Sequence, residues 1–277
     1  MTTAQAPKLV LTDLDGTLLR DDKRLSPANR AALERASAQG CQVVLATGRS
    51  YESLPQELRD LPFLRYFIFM NGAKVYDLET DRTLYRAEIS AETTEKLFDL
   101  LYPLDLSVDC YQNDRGFIDK KYYDRLDYYI IDPVAREHNR LQRTPLEDFR
   151  GAIRAGGGAV QKLQCFFPHP ELAPEIIQQI HRAFPELELS SSLPGNLEIN
   201  APGATKGAAL AALCQALSLD LSQTMAFGDG TNDLAMLRQA GTGVAMANAA
   251  PETLAAADLV APSNQEDGVA KVLARWF

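Results

Sequence analysis

The sequence has few of the residues that build disulfide frameworks, zinc sites or membrane spans. It contains 4 cysteines and 3 histidines among 277 residues, and the cysteines lie far apart without CxxC spacing. No segment approaches the roughly 18 consecutive apolar residues of a transmembrane helix. The first residues, MTTAQAPK, contain no apolar stretch of signal-peptide length. We therefore predict reduced, buried thiols and a cytoplasmic protein that does not bind membranes.

Positive charge is also scarce. Lysine and arginine total 28 against 37 acidic residues, which gives a net charge of −9. Because an acidic protein is repelled by the phosphate backbone, we expect no nucleic-acid partner. A phosphorylated ligand would need positive charge supplied locally, by a metal ion, a few basic side chains or backbone N–H groups. The content of 46% hydrophobic and 23% charged residues is typical of a folded globular protein.

Strand and helix patterns alternate in the first third of the chain, which is typical of a parallel α/β sheet. Ser26 and Pro27 have the pattern of an N-cap followed by proline in the first helical turn, and a second helix is expected after Ser50. The predicted strands are residues 8–12, 42–46 and 66–70, followed by a hairpin of 74–76 and 83–85.

The order of elements becomes irregular between about residues 90 and 190, and the alternation returns afterwards. Strands are predicted at 197–200, 225–227 and 243–245. The predicted fold is therefore α/β, with a Rossmann-like, doubly wound and mainly parallel sheet as its core. Residues 1–85 and 191–277 would form this core, and residues 86–190 an inserted α+β cap domain.

Polar residues follow the predicted strands, where ligands bind in open α/β sheets. Asp13 and Asp15 come directly after the first strand, and their side chains point the same way from an extended chain. Two adjacent carboxylates repel, so the pKa of one rises unless a cation is near. One could act as nucleophile and metal ligand, and the other as general acid and then base. A strand-end turn with solvated aspartates is the alternative.

Three further segments have similar two-sided interpretations. Thr47, Gly48 and Arg49 could form an anion site at a helix N-terminus, or a helix cap with a surface arginine. Lys206 at a predicted helix start is unfavourable unless an anion or carboxylate compensates, although most isolated lysines are simply solvated. The segment 228–233 has three carboxylate or amide side chains suited to Mg²⁺, whereas an N-cap would explain only one of them.

Taken together and in this order, these segments resemble the haloacid dehalogenase superfamily of phosphohydrolases, in its Cof-like branch with a large α/β cap. The resemblance covers about residues 7–85 and 195–277, and no motif position departs from the family pattern. The matching motifs are DxDGT at Asp13 to Thr17, TGR at Thr47 to Arg49, the lone Lys206, GDGxND at Gly228 to Asp233, and NGA at Asn71 to Ala73.

The resemblance implies a magnesium-dependent phosphatase that hydrolyses a small phosphorylated metabolite, such as a sugar phosphate or similar monoester. Asp13 would form an aspartyl-phosphate, and Asp15 would protonate the leaving oxygen and then activate water. The implied metal-binding residues are Asp13, Asp15 (through its backbone carbonyl), Asp229, Asn232 and Asp233. The implied phosphate-binding residues are Thr47, Gly48, Arg49, Asn71, Lys206 and Asn232.

Several alternatives stay open at this point. The same scaffold could carry a phosphomutase, or a non-catalytic phospho-switch, although a switch would not need Asp15 as an acid. The inserted domain would act as a lid and read the leaving group, and the chain would be a monomer or homodimer. Candidate substrate contacts in that domain, which could equally be core or surface residues, are Arg115, Lys120, Lys121, Tyr122, Tyr123 and Arg125.

Overall fold

A computed structural model gives the fold of the chain and describes residues 5–191 and 195–277. The predicted core ranges 1–85 and 191–277 therefore include residues 1–4 and 192–194, which lie outside the described residues.

The described residues form strands that are numbered here in chain order. They are β1 (Leu9–Thr12), β2 (Gln42–Ala46), β3 (Tyr66–Phe69), β4 (Lys74–Asp77), β5 (Arg82–Arg86), β6 (Ser107–Gln112), β7 (Arg115–Asp119), β8 (Thr144–Leu146), β9 (Lys162–Phe166), β10 (Glu188–Ser190), β11 (Asn196–Asn200), β12 (Thr224–Gly228), β13 (Thr242–Met246) and β14 (Leu259–Ala261).

The α-helices are numbered in the same way. They are α1 (Pro27–Ala38), α2 (Gln56–Arg59), α3 (Ala91–Leu101), α4 (Lys120–Tyr123), α5 (Leu126–Tyr129), α6 (Pro133–Gln142), α7 (Phe149–Ala155), α8 (Ala173–Ala183), α9 (Lys206–Leu217), α10 (Leu234–Gln239), α11 (Pro251–Ala256) and α12 (Gly268–Leu273). Short 3₁₀ turns occur at Tyr51–Ser53, Met70–Gly72, Pro170–Leu172, Leu221–Gln223, Thr231–Asp233 and Asn264–Glu266.

The chain forms two compact units. The first unit consists of Met1–Arg86 and Thr205–Phe277, and the second unit consists of Ala87–Ala204. Each unit has its own sheet. The first contains an 8-stranded sheet in the order β14-β13-β12-β1-β2-β3-β4-β5, and the second contains a 6-stranded sheet in the order β10-β11-β9-β6-β7-β8.

The sheet of the first unit is parallel from β14 to β3 and ends in the antiparallel hairpin β4–β5. The prediction of a mainly parallel α/β sheet is therefore confirmed. Strand β1 is fully buried between β12 and β2, and its residues read LVLT, as expected for a central parallel strand covered on both faces. Because β12, β1, β2 and β3 are neighbours and run the same way, the loops after their carboxyl ends start at one edge.

Local signals explain several element boundaries in the first unit. The side chain of Ser26 accepts a hydrogen bond from the backbone N–H of Asn29 and caps α1, and Pro27 occupies its first turn. The prediction of an α-helix directly after Ser50 is wrong. The chain there makes one 3₁₀ turn, Tyr51–Ser53, before the short helix α2, because Pro55 interrupts the helical backbone.

The second unit combines helices α3 to α8 with a mainly antiparallel sheet, in which β7 and β8 pair in parallel. Strands β6 and β9 alternate between apolar residues, such as Val108 and Leu163, and polar residues, such as Asp109 and Gln164. Such alternation means that one face of the sheet is apolar and the other polar. The polar face carries two buried ion pairs: Asp109 with Arg143 at 2.7 Å and Glu198 with Lys162 at 2.9 Å.

Strand β11 corrects the predicted strand order. The sequence order predicts the strand at 197–200 in the returning parallel sheet, but β11 pairs antiparallel with β9 and β10 in the second unit. Its sequence, NLEIN, alternates polar and apolar residues, which is the pattern of an antiparallel strand rather than of a central parallel one.

No helix in the described part of the chain combines the length and the apolar character needed to cross a membrane.

Candidate active site

Asp13 is the first residue after the central strand β1. Its backbone N–H donates to the carbonyl of Phe227 at 2.9 Å, which continues the pairing of β1 with β12 by one residue. Its side chain is buried. The adjacent strand β12 ends at Gly228, so Asp229 leaves the same edge of the sheet one strand away. The parallel register therefore brings together two acids that are far apart in the sequence.

Lys206 is the first residue of α9 and is completely buried. Its ammonium group donates to Asp13 at 2.5 Å and to Asp233 at 2.6 Å. These two carboxylates supply the compensation that a lysine at a helix N-terminus requires. Burial alone would lower the pKa of Lys206, but the charges of Asp13 and Asp233 outweigh it and raise this pKa above its ordinary value. The ammonium group is therefore kept charged.

Asp233 fixes the loop that carries Asp229. One of its oxygens accepts from Lys206, and the other accepts from the backbone N–H groups of Asp229 and Gly230, both at 2.9 Å. Asp229 itself accepts a hydrogen bond of 2.6 Å from the hydroxyl of Thr17. Both oxygens of Asp233 thus accept hydrogen bonds from the protein, whereas among the described residues only one oxygen of Asp229 does.

Three carboxylates gather at this edge of the sheet. Asp13, Asp229 and Asp233 each contribute an oxygen, and these atoms all lie within 4.8 Å of one another. Burial raises the pKa of Asp13 well above its ordinary value, with the charges of Asp233 and Asp229 adding to it and Lys206 opposing it. Burial likewise raises the pKa of Asp229 to about 6. The cluster therefore has a surplus of negative charge that a cation would neutralise.

The residues present fit a divalent cation. Among the described residues, the second oxygen of Asp13 and that of Asp229 accept no hydrogen bond, and hard cations such as Mg²⁺ prefer carboxylate oxygens. Gly16 lies so close to the carboxylate of Asp229 that a side chain on residue 16 would overlap it. The absence of a side chain at Gly16 thus allows the loop after β1 to pack against the carboxylate of Asp229.

Asp15 lies two residues from Asp13 but has different partners. The guanidinium of Arg49 binds both of its oxygens, at 2.7 and 2.8 Å, and the ammonium of Lys23 lies 2.9 Å away. Burial would raise the pKa of Asp15, but the hydrogen bonds and charges of Arg49 and Lys23 outweigh it and lower this pKa to about 2. Arg49, predicted to bind phosphate, is engaged with Asp15 in this structure, and its phosphate contact stays a prediction.

The remaining predicted phosphate-binding residues form a second group of contacts. Thr47 is buried and follows β2, and its hydroxyl accepts from the backbone N–H of Arg49 at 3.2 Å. The amide of Asn232 donates to the side-chain oxygen of Asn71 at 3.2 Å. Gly48 faces the same Asn71 oxygen, which a side chain on residue 48 would crowd. The structure therefore groups these residues, while their contact with a phosphate stays a prediction.

Three residues that contact the candidate site are absent from the list of site residues predicted from the sequence. Thr17 binds Asp229, Lys23 pairs with Asp15, and the amide of Asn248 donates to the carbonyl of Gly16 at 2.8 Å. The membership of Thr17 in the DxDGT segment is the one sequence signal for its contact with Asp229. Lys23 and Asn248 carry no local pattern, and the contact of Asn248 depends on how two distant loops meet.

The candidate contacts in the second unit make mostly internal interactions. Tyr122 is buried and packs edge-on against Tyr102 and Tyr129. Lys120 pairs with Asp124 on the same helix, and the ammonium of Lys121 lies over the rings of Tyr102 and Tyr122. Core packing and surface ion pairs account for these contacts, and a role of these residues in substrate binding stays a prediction.

Comparison with known proteins decides the family. A family described as haloacid dehalogenase-like hydrolase matches residues 10–273. The chain belongs to that family. The match spans nearly the whole of this haloacid dehalogenase-like protein. It includes the second unit and all the motif segments that contribute residues to the candidate site.

Named relatives of this haloacid dehalogenase-like hydrolase are phosphatases. The 5-amino-6-(5-phospho-D-ribitylamino)uracil phosphatase YcsE of Bacillus subtilis is 29% identical, over 97% of this chain and 95% of that protein. An HMP-PP phosphatase of Cronobacter sakazakii is 30% identical, over 88% of this chain and 85% of that protein. The family and these relatives identify the chain as a hydrolase of the phosphatase type.

Solved structures agree with the fold. A haloacid dehalogenase-like hydrolase from Bacteroides thetaiotaomicron has a TM-score of 0.81 and 28% identity, and covers 98% of this chain and 100% of its own. A protein from Thermotoga maritima has a TM-score of 0.82 and 28% identity, and covers 98% of both chains. A sugar phosphatase of haloacid dehalogenase subclass IIB has a TM-score of 0.79 and 26% identity, over 96% of this chain and 98% of its own.

Proposed function

We propose that this haloacid dehalogenase-like hydrolase is a Mg²⁺-dependent phosphatase that cleaves small phosphate monoesters through an aspartyl-phosphate on Asp13. The observation that carries the proposal is the placement of Asp13. A single buried ammonium, that of Lys206, binds both Asp13 and Asp233, and the oxygens of Asp13, Asp229 and Asp233 lie within 4.8 Å of one another. Nucleophile, cation site and phosphate-binding charge would thus share one location.

Asp13, Asp229 and the backbone carbonyl of Asp15 would hold the metal ion. When bound, the ion supplies positive charge that offsets the repulsion between an anionic nucleophile and an anionic phosphoryl group. Asp233 would act indirectly, because its oxygens hold Lys206 and the backbone of the Asp229 loop. Asn232 is a further candidate for such an indirect role around the metal site.

The chain's own residues would carry the displacement. A carboxylate oxygen of Asp13 attacks phosphorus as the bond to the leaving oxygen breaks, and Lys206 steadies both Asp13 and the phosphoryl oxygens. Lys206 is suited to both tasks because it is charged, buried and fixed by two carboxylates. Thr47 would add a hydroxyl at the same edge of the sheet.

Asp15 would donate a proton to the leaving oxygen and later accept one from water. With Arg49 and Lys23 in place it is ionised at neutral pH, which suits the second of these tasks. The first task requires a protonated carboxyl group, so we expect the contact between Asp15 and Arg49 to loosen when substrate binds.

The substrate class is proposed from the relatives and the charge of the chain. The relatives are named for a phosphorylated ribitylaminouracil, for HMP-PP and for sugar phosphates, and all of these are small phosphorylated compounds. A net charge of −9 disfavours polyanionic substrates such as nucleic acids. We propose that the first unit carries the chemistry and that the second unit selects the leaving group.

A screen of phosphorylated metabolites with Mg²⁺, read as released inorganic phosphate, tests the proposal. We expect turnover that EDTA abolishes and that Asp13→Asn removes. Asp22→Asn, which alters an exposed acid in the loop after the same segment, is the matched control and should retain activity. Full activity of Asp13→Asn, or full activity in EDTA, would refute the mechanism, and phosphate release only with a bisphosphate activator would indicate a mutase.

A further inference from the structure

The turn that follows β3 has an unusual backbone. Met70, Asn71 and Gly72 have φ angles of 51°, 56° and 109°, so all three lie in the left-handed region. Left-handed conformations cost energy for residues with a side chain, and they are retained only where the surroundings enforce them. Met70 and Asn71 are buried. The protein therefore maintains a strained turn inside the first unit, next to the candidate active site.

The backbone of this turn holds the loop that follows β2. The N–H of Met70 donates to the carbonyl of Arg49 at 3.2 Å, and the N–H of Asn71 donates to the carbonyl of Thr47 at 3.0 Å. These bonds fix the segment that contains Thr47 and the Asp15-binding Arg49. The direction of the Asn71 N–H depends on the φ angle of Met70, so an ordinary φ at residue 70 would turn that N–H away from Thr47.

Gly72 presses against the start of α9. A Cβ atom on residue 72 would overlap the backbone carbonyl of Thr205 and approach the backbone nitrogen of Lys206 to 2.8 Å. The side chain of Thr205 caps α9 by accepting from the N–H of Ala208 at 3.1 Å. Since Lys206 begins this helix, the position of Gly72 limits where the ammonium group can lie relative to Asp13.

The side chain of Asn71 reaches the fourth motif segment. Its oxygen accepts the 3.2 Å hydrogen bond from Asn232, which precedes Asp233 in the turn that orders the Asp229 loop. The turn 70–72 thus contacts three separate segments of the site: the Thr47 loop, the start of α9 and the Asn232 turn.

We infer that the turn Met70–Gly72 is a positioning element that sets Thr47, Lys206 and Asn232 relative to one another, and that Asn71 acts through Asn232. The inference rests on the proposed phosphatase function, because that function has Thr47, Lys206 and Asn232 act on the same phosphoryl group. It makes Asn71 a positioning residue rather than an anion ligand.

A double-mutant cycle tests the action of Asn71 through Asn232. Asn71→Gly keeps the left-handed backbone accessible while removing the side chain, and Asn232→Ala removes its partner. We expect each single variant to lower kcat/KM for p-nitrophenyl phosphate about tenfold, as loss of one well-placed hydrogen bond would. The kcat/KM of the double variant should be no more than about threefold below that of Asn232→Ala, because both substitutions remove the same hydrogen bond.

The dissociation constant of inorganic phosphate, measured by calorimetry in the presence of Mg²⁺, should show the same non-additivity. Effects that multiply in the double variant would overturn the inference, since they would mean that Asn71 and Asn232 act independently. A melting temperature measured for each variant separates loss of positioning from loss of folding.

Gly72→Ala tests the contact with α9, and Gly40→Ala is its matched control. Gly40 also has a positive φ angle, of 86°, but nothing lies within 4 Å of a Cβ atom placed on it. Both variants strain the backbone, but only Gly72→Ala pushes on Thr205. We expect a loss of at least tenfold in kcat/KM for Gly72→Ala and less than about twofold for Gly40→Ala.

Crystal structures of these two variants provide a readout that does not depend on activity. The separation between the Lys206 ammonium and Asp13 should lengthen in Gly72→Ala and stay unchanged in Gly40→Ala. An unchanged separation in Gly72→Ala would overturn the inference even if the wild type is an active phosphatase. A wild type that hydrolyses no phosphate monoester would instead refute the proposed function, while this structural comparison would still test the turn.

Discussion

The ammonium of Lys206 lies 2.5 Å from a carboxylate oxygen of Asp13, although 193 positions separate the two residues in the sequence. Lys206 is completely buried and also binds Asp233. This contact joins the beginning of the chain to its last third, and it places one positive charge among three acids.

Lys206→Met should impair both folding and catalysis. It leaves the carboxylates of Asp13 and Asp233 buried without their cation, and breaking a buried ion pair costs about 3–5 kcal/mol of stability. Loss of a fixed positive donor should also lower kcat/KM at least about a hundredfold. Urea denaturation and steady-state kinetics measure the two effects.

Lys96→Met is the control for this change. Lys96 forms an exposed pair with Glu92 one helical turn away, and such pairs contribute little. A Lys206→Met protein as stable and as active as the Lys96→Met protein would show that the buried ammonium has neither role.

The sequence carried enough information to predict where the site lies. Asp13, Thr47 and Asp229 each follow a strand that reads as a buried apolar run, and parallel strands deliver such residues to one edge. The electrostatic argument that a lysine at a helix start needs a negative partner left a solvated Lys206 open, and the family resemblance assigned it to the site.

Other features could not be predicted, for physical reasons. The pairing of Arg49 with Asp15 depends on the bend of a loop that proved to be a 3₁₀ turn rather than a helix. Strand β11 was placed in the wrong sheet because its alternating pattern, NLEIN, was interpreted by chain order instead of by period. The left-handed angle of Met70 has no sequence signal, whereas the pair Asn71-Gly72 is typical of a turn with positive φ angles.

Asp15→Asn should separate the two halves of the reaction. p-Nitrophenolate leaves without a proton, so we expect Asp15→Asn to release nitrophenol in a burst of about one equivalent per enzyme. Later turnover, which needs a base to activate water, should fall about a hundredfold or more. Stopped-flow absorbance measures the burst and the steady rate. A steady rate equal to that of the wild type would contradict the role of Asp15 as acid and base.

The stabilisation given by Mg²⁺ should depend on pH through Asp229. The pKa of this group is raised from 3.8 to about 6 in the folded protein, so the folded state without metal binds the proton more tightly than the unfolded state. Its contribution to the free energy of unfolding therefore decreases as pH rises from about 4 to 6. Mg²⁺ needs the ionised carboxylate, so its effect increases over the same range.

Thermal unfolding with and without Mg²⁺ at pH 5 and pH 7 checks this expectation. The increase in melting temperature should be larger at pH 7, and Asp229→Asn should remove most of the difference. Equal increases at both pH values would contradict the assignment of Asp229 to the cation.

Arg143→Met should destabilise the second unit. Arg143 and Asp109 are buried and bonded at 2.7 Å, and Arg143 also binds Tyr111 and Gln164. Burial already raises the pKa of Asp109, and removal of its cation leaves a buried carboxyl group unpaired. We expect a loss of about 3–5 kcal/mol, measured by chemical denaturation. Arg154→Met, which breaks an exposed pair with Glu95, should change little, and equal losses would contradict the argument.

The central claim is that Asp13 becomes covalently phosphorylated. Wild-type enzyme can be mixed with p-nitrophenyl phosphate and Mg²⁺, quenched in acid within the first turnover, digested and examined by mass spectrometry. We predict one phosphoryl group on the peptide that contains Asp13, and none on that peptide from Asp13→Asn. Continued turnover with no phosphoryl group on this peptide, or with one on a different residue, would contradict the account.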